Sequence, residues 1–295
     1  MESSKVIVIF DVDGTINQTE VYAVKAYRKA LEEVGKTGFS DKEFIERIGA
    51  PFEQDVRYFF GENESEQVEL FRKLIQKYWI DGMKESAKTF EGIHQMLEEL
   101  KEKGYKAFIC TGRAPFYAKR LFGDLVSGII SCNGRYILYE GKKLYSRAFT
   151  KEQLDYYVHK LDQGKLGAMF VSDEKALKYH LNQKQEVDLE KEYGIEHLVD
   201  SLEGDFYTFD MFYQSQEHYQ TMVEIFKEDL IINDHGGMGS CDCSTIEFDK
   251  GSAIAYLLDY FHIDKDNAYA FGDGYNDQAM FREVGHGIAM GNAVD

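Results

Sequence analysis

Positive charge is in short supply in this chain. Lys and Arg total 34 against 52 Asp and Glu, for a formal net charge of -18. That deficit argues against nucleic acid and anionic membrane surfaces as partners, because a phosphate backbone attracts basic protein. It leaves room for a small phosphorylated ligand, where local charge and a metal ion override the net field. Cysteine is also sparse: Cys110, Cys132, Cys241 and Cys243 make no disulfide framework in 295 residues. Cys241 and Cys243 have no second cysteine pair and no His-x-x-x-His to complete a zinc site. All four read as reduced thiols near strand ends. No apolar run approaches the roughly 18 residues of a membrane span. Met1 to Lys5 lead so directly into the first apolar run that a signal peptide is not expected. A reducing cytosol is the expected compartment. Repeats and low-complexity tracts are absent, and the eight histidines show no ligand-like spacing; His235-Gly236-Gly237 reads as a loop.

What is present is a globular composition, 44% hydrophobic and 29% charged, in a chain long enough for roughly two domains. Continuous apolar runs recur at residues 6–10, 106–110, 128–132, 268–271 and 287–290. They end in Asp11-Val12-Asp13-Gly14, Thr111-Gly112-Arg113, Asn133-Gly134, Gly272-Asp273-Gly274 and Gly291-Asn292. Strands that are apolar throughout are buried on both faces, which predicts a parallel sheet covered by helices. The helices between them carry the matching stripe. Segment 92–103 places Ile93, Met96, Leu97 and Leu100 on one face before Gly104, and 252–261 repeats this with Ile254, Leu257, Leu258 and Phe261. The predicted fold class is α/β, a Rossmann-like parallel-sheet core in three αβα layers.

Two long segments interrupt the scheme. Residues 18–88 read almost entirely as helix, with helical spacing over 21–34 and 44–48, a helix from Pro51 to Phe60, and another over 68–83. Residues 133–245 are mixed. Segments 135–140 and 143–149 flank Gly141-Lys142 as a hairpin, and 152–161 reads as helix. Segment 206–213 alternates, with Tyr207, Phe209, Met211 and Tyr213 on one side, expected in a core, and Thr208 and Asp210 on the other. The expected division is a core of 1–17, 89–132 and 246–295, a helical insertion of 18–88 and an α/β insertion of 133–245.

Four clusters fall at the ends of core strands or the start of a helix. Asp11 and Asp13 close the first strand, with Gly14 and Thr15 behind them. The carboxyl edge of a sheet is where open α/β folds bind ligands, and paired aspartates there suit a carboxylate nucleophile and a metal-ligand set. The others are Thr111-Gly112-Arg113, Lys250-Gly251 and Gly272-Asp273-Gly274-Tyr275-Asn276-Asp277. Taken singly each has a plainer reading: a polar turn, a Thr111 that caps a helix over 115–121, a solvated Lys250. Taken in this order they resemble the four motifs of the haloacid dehalogenase superfamily of phosphohydrolases, across the whole core.

That resemblance implies a division of labour. Asp11 is the nucleophile that forms an aspartyl-phosphate, and Asp13 is the general acid and base. Mg²⁺ is the expected cofactor, held by Asp11, Asp273 and the Asp13 backbone carbonyl. Lys250 supplies a second positive charge. Thr111, Gly112 and Asn276 face the phosphate, Asp277 positions Lys250, and Arg113 and Asn292 support the site. The chemistry agrees: a carboxylate attacking phosphorus splits a very slow hydrolysis into two easier steps. A carboxylate and a phosphate dianion repel, so the site needs cations.

The helical insertion resembles the cap of phosphoglycolate phosphatase and β-phosphoglucomutase relatives. Cys110-Thr111-Gly112-Arg113 and Ser131-Cys132-Asn133-Gly134 with the hairpin resemble the Cof-like group, whose α/β cap follows the third strand. This chain combines both. The α/β cap is expected to close the site, and the helical one to narrow access or mediate association. Relatives continue with a helix after Gly-Asn-Ala, whereas this sequence stops at Asp295. The expected activity is hydrolysis of small phosphorylated metabolites, sugar phosphates or nucleotides. The alternatives are a phosphomutase and a non-catalytic phospho-ligand sensor or partner-binding protein. Substrate identity and oligomeric state are not encoded in these motifs.

Overall fold

The computed structural model describes residues 6–50, 52–61, 66–235 and 239–293. Pro51, Gly236, Gly237 and both chain ends (1–5 and 294–295), on all of which the sequence raised expectations, lie outside them. In chain order, β1 (Ile7–Phe10) precedes helices α1 (Glu20–Glu33), α2 (Asp41–Ile45), α3 (Phe52–Phe60), α4 (Glu66–Ser86) and α5 (Ile93–Glu102). Next come β2 (Lys106–Cys110), α6 (Pro115–Phe122), β3 (Gly128–Ser131), β4 (Tyr136–Tyr139) and β5 (Lys142–Ser146). Then follow α7 (Lys151–Gly164), β6 (Gly167–Val171), β7 (Ala176–Tyr179), α8 (Gln183–Tyr193), β8 (Leu198–Val199), β9 (Thr208–Phe212) and α9 (Gln216–Phe226). The chain closes with β10 (Leu230–Asp234), β11 (Ser240–Thr245), α10 (Lys250–Phe261), β12 (Ala268–Gly272), α11 (Gln278–Glu283) and β13 (His286–Ala289).

The larger sheet runs β13-β12-β1-β2-β3-β4-β5. Its first five strands are parallel, and β4 and β5 add on antiparallel. Ile7 and Ile9 of β1 cluster with Ile254 and Leu257 of α10. Val8 and Phe10 cluster on the other face with Leu97 of α5 and Ala118 and Phe122 of α6. This two-sided cover is why β1 reads apolar without alternation. The fold is the expected Rossmann-like α/β core in three layers. Because β2 and β12 flank β1 on opposite sides, the carboxyl ends of β1 and β12 bound a topological switch point.

One boundary differs from the sequence reading. The hairpin at 136–146, grouped there with the second insertion, is hydrogen-bonded to β3 and extends the larger sheet. A hairpin signal is local and does not say which sheet the hairpin joins. Here Gly128 of β3 lies opposite Tyr139, and a Cβ on it would stand 2.2 Å from Phe108 Cε1, so the missing side chain lets this edge pack.

The helical insertion is α1 to α4, whose inner faces form a core of Tyr27, Leu31, Phe44, Phe52, Phe59 and Phe71. Its two ends meet in a narrow neck: Gln18 N–H donates to Lys88 O at 2.9 Å, Phe90 N–H to Ile16 O at 2.9 Å, and Asn17 bridges Thr89. Inside it, buried Asp55 accepts from Tyr27 and pairs with Arg47. The second insertion carries a sheet in the order β10-β11-β9-β6-β7-β8. Tyr157, Leu161, Met222 and Phe226 of α7 and α9 cover one face, against Phe209 and Met211. Met169, Val171, Leu189 and Tyr193 cluster with Val12, Ile16 and Ala114, which seats this insertion beside the loops that follow β1 and β2.

Candidate active site

The turn after β1 is built around one carbonyl. Thr15, Ile16 and Asn17 all donate N–H groups to Val12 O, at 3.3, 2.9 and 2.9 Å. Gly14 sits at φ +82°, and a Cβ there would fall 1.8 Å from Asp273 Oδ2. Only glycine both adopts this backbone and lets the Asp273 carboxylate come so close. Asp11 donates its N–H to Phe271 O at 2.9 Å, which ties the end of β1 to the end of β12.

Lys250 is the charge centre. It occupies the first turn of α10, whose cap is Asp249, with its N–H groups answered by a reciprocal Asp249–Ser252 box. The side chain points inward and is 3% exposed, not a solvated lysine. Its Nζ donates to Asp11 Oδ1 at 2.7 Å and to Asp277 Oδ1 at 2.8 Å. Asp277 Oδ2 accepts the N–H groups of Asp273 and Gly274, both at 3.0 Å. Burial lowers the Lys250 pKa, but Asp11 and Asp277 outweigh it and hold the ammonium well above its ordinary value. Two carboxylates, Asp277 fully buried and Asp11 partly so, share this one cation. Burial therefore pushes Asp11 up to about 8, against the pull of Lys250 and with a further push from Asp277. Burial and then Asp277 push Asp273 up to about 7.

Carboxylate oxygens of Asp11, Asp273 and Asp277 lie within 4.8 Å of one another. Asp277 is fully buried and spent on Lys250 and two backbone N–H groups, whereas Asp11 and Asp273 are partly exposed and so are the pair a metal could reach. Thr15 Oγ1 donates to Asp273 Oδ1 at 3.3 Å, and Asn292 Nδ2 donates to Asp273 Oδ2 at 3.2 Å and Gly14 O at 3.0 Å. Asn292 is thus brought to the site, and Thr15 joins it without having been singled out.

The Asp13 carboxylate stands apart from that acidic group and accepts from Arg113 Nη2 at 2.9 and 3.2 Å. Arg113 lies over the Tyr117 ring at 5.4 Å. Thr111 does not cap α6, whose cap is Ala114; its Oγ1 accepts the Arg113 N–H at 3.2 Å and shapes the Thr-Gly-Arg loop. Asn276 is exposed in the short turn before α11, with Oδ1 turned toward Gly274. Sequence reasoning missed a polar group on the second insertion. Asn133 Nδ2 donates to Asp242 Oδ2 at 2.7 Å, and His235 Nε2 meets Asp242 Oδ1 at 3.0 Å. Asp242 Oδ2 is 3.3 Å from the position a Cβ on Gly112 would take. The Asn133–Asp242 contact joins residues 109 positions apart, and the backbone marks it only by the left-handed pair Cys132 and Asn133, at φ 52° and 50°.

Profiles of the haloacid dehalogenase-like hydrolases match residues 83–295 and, separately, 8–122. YkrA of Bacillus subtilis is 28% identical over 216 residues, covering 69% of this chain and 80% of that protein. 5-Amino-6-(5-phospho-D-ribitylamino)uracil phosphatase YwtE of the same organism is 28% identical over 246 residues, covering 72% of this chain and 84% of its own length. The solved structure of the sugar phosphatase BT4131 superposes with a TM-score of 0.57 at 18% identity, over 98% of this chain and 88% of that one. With the order of its four motifs and the fold that gathers them, the chain belongs to the haloacid dehalogenase-like hydrolases and is a phosphatase of their Cof-like group.

Proposed function

We propose that this protein is an Mg²⁺-dependent phosphatase that hydrolyses small phosphorylated metabolites, sugar phosphates or nucleotides, through an aspartyl-phosphate on Asp11. The observation that carries the reading is the buried arrangement of Asp11, Lys250 and Asp277 beside Asp273. YwtE, by its name, acts on a phosphorylated ribityl compound, which supports a small-metabolite substrate.

The donor set fits the metal. All the candidate ligands are oxygens, as Mg²⁺ requires, and the site has more buried carboxylate charge than Lys250 neutralises. Asp11, Asp273 and the Asp13 carbonyl would hold the ion, which when bound offsets the repulsion between carboxylate and phosphate. Asp11 attacks phosphorus from just beyond the carboxyl end of β1. Lys250, fixed by Asp277, keeps the nucleophile oriented and shares the charge that builds on the phosphoryl oxygens. Thr111 and the amides beside Gly112 bind those oxygens. Asp13 gives the leaving oxygen its proton, then takes one from the water that cleaves the aspartyl-phosphate. Arg113 holds Asp13 until substrate arrives. The two insertions act as caps over the core, the second extending to residue 245, and four buried, unpaired thiols support a reducing compartment. Among the described residues no helix is long and apolar enough to cross a membrane.

The test is phosphate release from p-nitrophenyl phosphate and a metabolite panel, with Mg²⁺ and with EDTA, beside Asp11→Asn. Turnover that needs Mg²⁺ and vanishes in Asp11→Asn is expected. A wild-type protein inert on the whole panel, or an Asp11→Asn variant as active as wild type, overturns the reading.

A further inference from the structure

The two insertions are not independent covers. Arg72 of α4 in the helical insertion is 2% exposed, and its neighbours come from both insertions. Its Nη2 donates to Gln216 Oε1 at the start of α9. Its guanidinium lies 4.0 Å from the Phe52 ring centroid and 5.7 Å from that of Tyr213. Gln216 Nε2 donates in turn to Glu53 Oε1 at 2.5 Å. Phe52 N–H donates to Asp234 Oδ2 at 3.3 Å, and Tyr213 O–H donates to the other oxygen of the same carboxylate. Gln76 of α4 reaches to 3.2 Å from the Cβ position of Gly239. Burying an arginine this far is costly unless its partners repay the lost hydration, and here the rings of Phe52 and Tyr213 and the Gln216 amide are those partners.

From Asp234 the contacts run on to the catalytic loop. Asp234 ends β10, and the next residue, His235, donates its N–H to Ser240 O at 3.1 Å and meets Asp242. His235 is exposed, and Asp242, 3.0 Å from its Nε2, favours the protonated imidazole and raises its pKa. Asp242 accepts from Asn133, whose own N–H donates to Thr111 O at 3.3 Å. A continuous series of packed and hydrogen-bonded groups thus joins α4 to the Thr111-Gly112 loop.

We infer that the helical insertion works as a buttress: Arg72 is a positioning residue that fixes the β10–β11 edge of the α/β insertion, so that His235 and Asp242 hold Asn133 and the phosphate-binding loop in register. The helical insertion then influences catalysis through its neighbour, without touching substrate. This rests on the phosphatase reading only for its kinetic consequence; the mechanical coupling stands by itself.

The experiment pairs amide hydrogen exchange with kinetics on the full-length protein, for Arg72→Ala, Arg72→Lys and Gln216→Ala. In Arg72→Ala, amides of 230–235 and 239–245 exchange about ten times faster. The α1 amides, in the same helical insertion but away from the contact, keep wild-type protection, which excludes simple unfolding. Gln216→Ala, altered on the opposite side of the contact, gives the same pattern more weakly. Arg72→Lys, which keeps the charge over Phe52, recovers part of the protection. With p-nitrophenyl phosphate, KM rises about fivefold in Arg72→Ala while kcat stays within about twofold, since only positioning of the loop is loosened. Unchanged exchange at 230–235 and 239–245 in both Arg72→Ala and Gln216→Ala overturns the coupling. Altered exchange with unchanged KM overturns the link to the loop. If wild type has no turnover, the exchange arm still decides the coupling, so that failure is distinct from failure of the phosphatase reading.

Discussion

Replacing Lys250 with methionine removes one charge and little volume, and the structure sets how much that should matter. Asp11 and Asp277 both accept from this ammonium, at 2.7 and 2.8 Å, and both lie in the interior of the site. Taking the cation from a buried ion pair costs about 3–5 kcal/mol, because the carboxylates are left uncompensated. At roughly 2–4 °C per kcal/mol for large domains, melting falls by roughly 6–20 °C. The loss is largest in EDTA, and excess Mg²⁺ recovers part of it by supplying charge beside Asp11. The rate does not recover with it. A preorganised charge aimed at the developing transition state is worth about 10²–10³ in kcat. The assay is differential scanning fluorimetry with EDTA and with Mg²⁺, run beside p-nitrophenyl phosphate turnover. A variant that melts within about 2 °C of wild type in EDTA refutes the stability argument. One that keeps kcat within about threefold refutes the catalytic one.

Gly14→Ala drives a methyl group into Asp273 Oδ2 and strains a backbone at φ +82°, so the carboxylate must move. A shift of that size lowers turnover about 10²-fold and weakens Mg²⁺ binding, read by titration calorimetry; wild-type affinity would show that Asp273 is not a ligand. Asp13→Asn is expected to bind substrate normally and turn over about 10²–10⁴-fold more slowly. Wild-type rates in that variant remove Asp13 from the acid–base role. The pH dependence has a definite sign. Burial raises Asp11 to about 8 and Asp273 to about 7, above the 3.8 of a free aspartate. Their contribution to stability is full at pH below 3.8 and is lost as pH rises through about 7 and 8. The melting temperature gained on adding Mg²⁺ should thus widen between about pH 5 and pH 8, as the ion binds both groups ionised. A gap that is constant or narrows across that range contradicts the assignment.

Asp11, Asp13, Lys250 and Asp273 could be picked out as candidates because of their joint order along the chain, at strand ends and a helix start, and not because of any one of them, since each alone also reads as a polar turn or a solvated lysine. The parallel sheet was legible for a different reason, since two-sided burial erases alternation in β1 and β2 and leaves a continuous run. What escaped depends on pairs distant in sequence. Arg113 and Asp13 are 100 residues apart, Thr15 and Asp273 are 258 apart, and Asn133 and Asp242 are 109 apart. No window of sequence contains either both members or the fold that joins them. The hairpin after β3 was recognised as a hairpin, yet its assignment to the larger sheet depends on the exposed edge of β3, which only the assembled core provides.

The neck at residues 16–18 and 88–90 has a consequence for the history and engineering of this chain. Because the excursion leaves and re-enters the core across a few hydrogen bonds, the core path is already closed beneath it. Bridging the neck with a short turn would delete the helical insertion without rerouting a strand, and loop-closure entropy grows so slowly with length that carrying it costs the core little. An insertion joined this way can be gained or lost in one genetic event. Its docking against the second insertion rests on the surface the two share, at Arg72 and Gln216, and not on the core that carries both.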